Sequence, residues 1–189
     1  MDDRTWKLTS RLLGACTALL LACSSHAGTP AAFAARQGLE LATTAAQAWA
    51  ADAALVYIEN DETLADGANC ERWGYLFYSP SLERSRVWSV RDGHIAVAEN
   101  LDMRFDAPPV SAEWIDSGQA LASAEAGGGG AFRKEFGGRL VTMLLMRGAF
   151  SEGDPDVTTW TFVYSAPGAP SLFVVVDATD GKVQRTWRG

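Results

Sequence analysis

Histidine is the scarcest reactive side chain in this sequence. Two occur in 189 residues, His26 and His94, alongside three cysteines, Cys16, Cys23 and Cys70. A Ser-His-Asp or Cys-His mechanism needs a histidine within reach of both a nucleophile and an orienting group, so it would have to run through His94. That residue follows the hairpin pair Asp92-Gly93, where a solvated turn-flanking side chain is the ordinary outcome. One Cys with one His falls short of a zinc set. Two acidic clusters, Glu59-Asn60-Asp61-Glu62 with Asp66 and Glu152-Gly153-Asp154-Pro155-Asp156, raise calcium, which takes about six to eight oxygens. Neither has the alternating Asp-x-Asp-x-Asp-Gly pattern, and both read as solvated loops. Nothing in the spacing singles out a glycosidase-type carboxylate pair. The run Gly127–Gly130 lacks the Gly-Lys-Ser/Thr ending of a phosphate loop and reads as a helix stop. The expectation is therefore no catalytic residue, no metal and no cofactor.

Aromatic residues are the more conspicuous resource, with seven tryptophans. Trp73-x-Tyr75-x-Phe77 and Trp160-x-Phe162-x-Tyr164 each put three rings on one face of a strand. Such rings ordinarily pack beneath a helix. The sharper alternative is an exposed surface of Trp73, Tyr75, Trp88, Trp160, Phe162 and Tyr164 that holds a partner peptide, glycan or lipid chain.

The N-terminus reads as an export segment. Arg4, Lys7 and Arg11 precede the apolar run Leu12–Ala22, which suits a signal core and is shorter than the roughly 20 residues of a membrane-spanning helix. Leu20-Leu21-Ala22-Cys23 resembles a bacterial lipobox, in which the cysteine becomes residue one and carries lipid. Ser25-His26-Ala27 offers the alternative of cleavage before Gly28. By the lipoprotein sorting rule, Ser24 after the cysteine implies the outer membrane, facing the periplasm. Without the anchor the protein would be soluble in the periplasm or secreted. Cys70 then remains as the sole thiol, and its setting in Asp66-Gly67-Ala68-Asn69-Cys70-Glu71 reads as an incidental loop or strand-edge position. Intermolecular pairing or redox sensing there would require exposure and a lowered pKa.

Charge narrows the partners. The chain carries a net −7, and loss of residues 1–22 leaves 21 acidic against 13 basic residues, a net −8. An acidic surface without a Lys/Arg run disfavours nucleic acid and charge-driven binding to anionic membranes.

The positioning elements fall into two similar sets. Thr29-Pro30 suits a helix start, and the Ala-rich run 31–51 has helix propensity with Leu41, Ala45 and Trp49 on one face. Strands are expected over Ala54–Glu59, Trp73–Ser79, Arg86–Arg91 and His94–Ala98. After Pro108-Pro109, Ser111 is expected to cap a helix running to Ala126. Strands then follow at Leu140–Met146, Val157–Ser165, Leu172–Asp177 and Val183–Trp187, with turns at Pro167–Pro170 and Asp180-Gly181. The aromatic triplets and hairpin turns recur at an offset of 87 or 88 residues. The expected architecture is α+β, with a signal segment over 1–22, a tether over 23–29, and two tandem repeats over 30–107 and 108–189. Each repeat is one helix on a four-stranded antiparallel sheet.

The helix, the strands and the closing Asp177-Ala178-Thr179-Asp180-Gly181-Lys182-Val183 resemble a PepSY domain, which often ends in a similar Asp-Ala-x-Thr-Gly-x-Val stretch. The first half keeps Arg91-Asp92-Gly93-His94-Ile95 at that place. The resemblance implies a cystatin-like sheet wrapped on a helix, as found in envelope and secreted proteins that bind or restrain peptidases, without shared catalytic residues. The expected function is a non-catalytic binding or peptidase-modulating module of the envelope, its partner a protein or peptide, with a peptidase among the candidates. The alternatives are a carrier of a small apolar ligand or lipid between helix and sheet and, third, a hydrolase with a carboxylate site.

The anchor is directly testable. Cys23→Ser should abolish labelling by a fatty-acid analogue and release the protein from the membrane fraction. A variant that stays membrane-bound, or a mature chain beginning at Gly28, contradicts lipidation.

Overall fold

The fold is described from a computed structural model for residues 31–101, 105, 107–148 and 156–189. The export segment, Cys23 and the Thr29-Pro30 helix start lie outside the described residues. The stretches of alternating side chains form strands, because alternation sends successive side chains to opposite faces of a sheet. They are β1 (Ala54–Asn60), β4 (Arg72–Ser79), β5 (Arg84–Arg91), β6 (His94–Asn100), β7 (Arg139–Arg147), β8 (Thr158–Ala166), β9 (Ala169–Asp177) and β10 (Val183–Arg188). A two-residue ladder, β2 (Leu64–Ala65) with β3 (Asn69–Cys70), sits between β1 and β4.

The eight longer strands make one antiparallel sheet in the order β10-β9-β8-β7-β1-β4-β5-β6. Within each half, neighbouring strands follow chain order as a meander. The halves meet where β1 pairs with β7 through Tyr57↔Met146, Ile58↔Leu145 and Glu59↔Leu144. Two separate four-stranded layers were expected; edge pairing of β1 with β7 makes a single eight-stranded one. Between β5 and β6 the expected tight turn is present, with Asp92 at φ 49° and Gly93 at φ 70°, the positive angles that suit a two-residue hairpin. Helices cover one face of this mixed α/β layer, and among the described residues none is long and apolar enough to cross a membrane.

Both helix expectations need correction. The first helix, α1, spans Leu39–Trp49 and does not fill 31–51. Ahead of it, Phe33 exchanges backbone hydrogen bonds of 2.9 and 3.0 Å with Cys70, so extended pairing replaces helix there. In the second half Asp116, not Ser111, caps the helix. Its carboxylate accepts from the Ser117 N–H at 2.7 Å and Gln119 completes a capping box at the start of α2 (Ser117–Ala124). Ser111 bonds Thr158 instead, its N–H 3.0 Å from Thr158 Oγ1. The glycine run breaks the helix, with Gly128 at the non-helical φ of 132°, but does not end it. The chain continues as a π-type turn over Glu125–Gly129 and then as α3 (Gly130–Phe136). A Cβ on Gly127 would lie 2.7 Å from Val183, and one on Gly129 would collide with the Tyr164 ring. The missing side chains let the helix lie directly on the sheet.

Between helices and sheet the space is filled with side chains. Ile58, Trp73, Tyr75, Leu145, Trp160 and Phe162 are all 0% exposed. Each buried tryptophan needs a partner for its N–H. Trp73 Nε1 donates to Phe33 O at 2.7 Å and Trp160 Nε1 to Ile115 O at 2.8 Å, so each indole holds the segment leading into its own half's helix. The two rings meet edge to face at 6.3 Å, and Trp114 joins Trp160 at 5.9 Å. Across the same seam Ala35 N–H reaches Ser117 Oγ at 3.2 Å and Arg36 N–H reaches Asp116 Oδ1 at 3.1 Å. Truncating either indole to Ala would cost about 3–5 kcal/mol.

Cys70 is fully buried rather than at an open edge. Its S–H has the Glu62 and Arg72 carbonyls at 3.2 and 3.1 Å, and burial pushes its pKa up. Exposed, low-pKa redox chemistry has no footing there.

Candidate functional site

The six aromatic residues considered as a partner surface are core residues. Trp73, Tyr75, Trp160, Phe162 and Tyr164 are 0% exposed and Trp88 is 3% exposed, so they cannot form that surface. The physical reason is their parity: they share the sheet face that the helices cover. Tyr75 OH donates to Ala35 O and Tyr164 OH to Glu125 Oε1, at 2.7 and 2.8 Å. His94 is exposed, its Nδ1 2.6 Å from Asp92 O. Among the described residues no group of three His, Cys, Asp or Glu side chains could hold a metal ion. The cluster at 152–154 lies outside the described residues.

A cavity of about 510 Å³ opens on the opposite, uncovered face of the first half. Its floor follows from strand register. Glu59 pairs with Gly74, Gly74 with Ser89 and Ser89 with Val97, so a row across β1, β4, β5 and β6 carries two small residues in its middle. The flanking row is Tyr57, Leu76 and Val87. Leu101 and Phe105, on the connection leaving β6, close the upper side, and the Phe105 ring sits 5.8 Å from that of Tyr57. The result is a trough with an apolar length and an acidic end.

The acidic end belongs to β1 and the bend after it: alternation puts Tyr57 and Glu59 on this face, and Asp61, just past the strand's end, lines the same cavity. Tyr57 OH donates to Glu59 Oε2 at 2.6 Å. Burial, helped by the Glu59 carboxylate, raises the Tyr57 pKa, so the phenol keeps its proton and remains a donor. Asp61 reaches over Gly74 to accept from Ser89 Oγ, and Arg72 Nε lies 3.7 Å from it. Arg72 also pairs with Glu62 at 3.3 Å, and Arg91 with Glu71 at 2.9 Å. No cation is paired with Glu59 among the described residues. Asp61 also borders a second cavity of about 380 Å³, between Asn60–Leu64 and Arg139–Val141.

The described residues of the second half place different side chains at the corresponding positions. On β7, Leu144 and Met146 stand opposite Glu59 and Tyr57. On β8 and β9, Thr161 pairs with Val175, and both are nearly or fully buried. Of the acidic cluster, Glu59 and Asn60 end β1 and so lie on a strand, while Asp61 and Glu62 fall in the bend after it and Asp66 in an exposed 3-10 turn, as the loop reading expected. Gly74 was the available signal, since a glycine inside an aromatic-rich strand marks a close approach.

No protein-family model and no curated protein matches this chain. Among solved structures it is similar to a "putative lipoprotein" from Clostridium difficile 630, at 15% identity and a TM-score of 0.49, over 78% of this chain and 90% of that one.

Gly74 tests the floor of the trough. Its backbone lies outside the left-handed region, yet an added Cβ would stand 2.8 Å from Asp61 Oδ1. On backbone grounds Gly74→Ala would stabilise the strand. The clash should instead lower stability by about 1–3 kcal/mol in urea unfolding. Adding Asp61→Ala should recover part of that loss in a double-mutant cycle. A neutral or stabilising Gly74→Ala contradicts the geometry.

Proposed function

We propose that this is an exported protein of the bacterial envelope, held at the outer membrane by lipid on Cys23, and that it acts as a non-catalytic binding module through the trough on the uncovered sheet face. The halves are read as copies of one helix-plus-four-strand unit of PepSY or cystatin-like kind. Both run from helix to four-strand meander, and both use a strand tryptophan to hold the segment before the helix.

The trough itself carries the reading. A concave, largely apolar site with a few placed polar groups is the usual form of a binding site. It is built on the first half, on side chains outside the core cluster. A carrier holding its ligand between helix and sheet fits less well, because that space is occupied by Trp73, Tyr75, Trp160 and Phe162. A hydrolase would want convergent acids. The trough holds two, Glu59 and Asp61, and Asp61 is engaged by Ser89. A protein or peptide partner, a peptidase among them, would enter along the floor of Gly74 and Ser89.

A photo-crosslinking amino acid placed at Val97, in the trough, should trap a discrete partner in intact cells. The same probe at exposed Gln184 should not. Identical products from both positions, or none from Val97, contradict the proposal.

A further inference from the structure

We infer that the trough selects a positively charged nitrogen on an aliphatic stem, an ammonium or guanidinium group, with Glu59 as its counter-ion. The inference rests on the reading of the trough as the binding site and specifies what enters it.

Among the described residues the charges at the acidic end do not balance. Glu59, Asp61 and Arg72 are the charged residues that line the trough, and Arg72, like Arg91 beside it, is already committed. Arg72 lies within 3.7 Å of Asp61 and 3.3 Å of Glu62, and Arg91 within 2.9 Å of Glu71 and 4.0 Å of Glu62. Glu59 is partly buried in the trough wall with one oxygen held by Tyr57. A carboxylate withdrawn from water without a counter-charge is costly, and an incoming cation relieves that cost. A cation here would also stand beside the Tyr57 and Phe105 rings, which attract positive charge through their faces.

The rest of the trough fits a stem. Leu76, Val87, Val97, Leu101 and Phe105 supply an apolar length beyond the acids. An anion would meet Glu59 and Asp61 directly, and a neutral apolar ligand would bury Glu59 unpaired. The chain's net charge of −7 favours approach of a cation over that of an anion. The paired strand makes an internal contrast, since Leu144 occupies the place opposite Glu59 and could not discriminate by charge.

Two sources of this chemistry exist, a Lys or Arg side chain of a protein partner and a free aliphatic amine. The experiment separates them. The purified chain, labelled with nitrogen-15, is titrated with n-hexylammonium, hexanol and hexanoate, and separately with an end-blocked Ala-Lys-Ala peptide and cadaverine. The Gly74 and Ser89 amides serve as reporters. Hexylammonium should bind about tenfold or more tightly than hexanol, hexanoate should bind least, and added salt should weaken hexylammonium alone. Glu59→Gln should remove the preference. Glu59→Lys should turn it toward hexanoate, provided circular dichroism shows the fold intact. If either variant fails to fold, the salt dependence of the unmodified chain decides. Stronger binding of the peptide assigns a protein side chain; stronger binding of cadaverine assigns a free amine. Equal binding of hexylammonium and hexanol overturns the charge selection and leaves the trough as an apolar site. Absence of any shift at Gly74 and Ser89 overturns the trough itself.

Discussion

Two indole N–H groups set the conditions for the rest of the molecule. Trp73 and Trp160 are fully buried, and an unpaired donor there would cost about 1–3 kcal/mol. Each finds its acceptor in the carbonyl of the segment that precedes a helix, Phe33 or Ile115. That requirement fixes where each helix begins and brings the two pre-helix segments together over the β1–β7 seam. The contacts of Ala35 with Ser117 and of Arg36 with Asp116 follow. Asp116 serves both sides, capping α2 and accepting from Arg36.

The same arrangement frees the other face of β1. Because the seam and the tryptophans consume Ile58 and Leu145 on the helix side, Tyr57, Glu59 and Asp61 point away from the core. Gly74 and Ser89 leave room beside them, and the chain leaving β6 brings Leu101 and Phe105 over the space. In the second half the corresponding face carries Leu144, Thr161 and Val175. One half of the sheet is thereby given to structure on both faces and the other to structure on one.

What could be read from the chain alone follows a physical boundary. Strands were legible because alternation is local, and the Asp92-Gly93 turn was legible because its positive φ angles favour those residue types. The start of α1 was not, because alanine propensity extends over 31–51 while the bridge from Phe33 to Cys70 is a contact across sequence. The glycine run was half legible, since it does break the helix at Gly128 but the chain resumes as α3. In isolation it reads as a stop, and only the Tyr164 ring beneath Gly129 gives it another meaning. The aromatic triplets were read correctly as strand faces, but parity alone does not say which face a helix covers. The trough was hidden further, since Glu59, Gly74, Ser89 and Val97 come from four strands.

The central claim is that the buried tryptophans and the β1–β7 pairing bind both halves into one cooperative sheet. Native-state hydrogen exchange tests it most directly. Amides of β4 and β8 should exchange with the same free energy, equal to that of global unfolding, as should the slowest amides of β1 and β7. Exchange of β7–β10 at a distinctly lower free energy than β1, β4 and β5 would show that the halves open independently and would contradict the account.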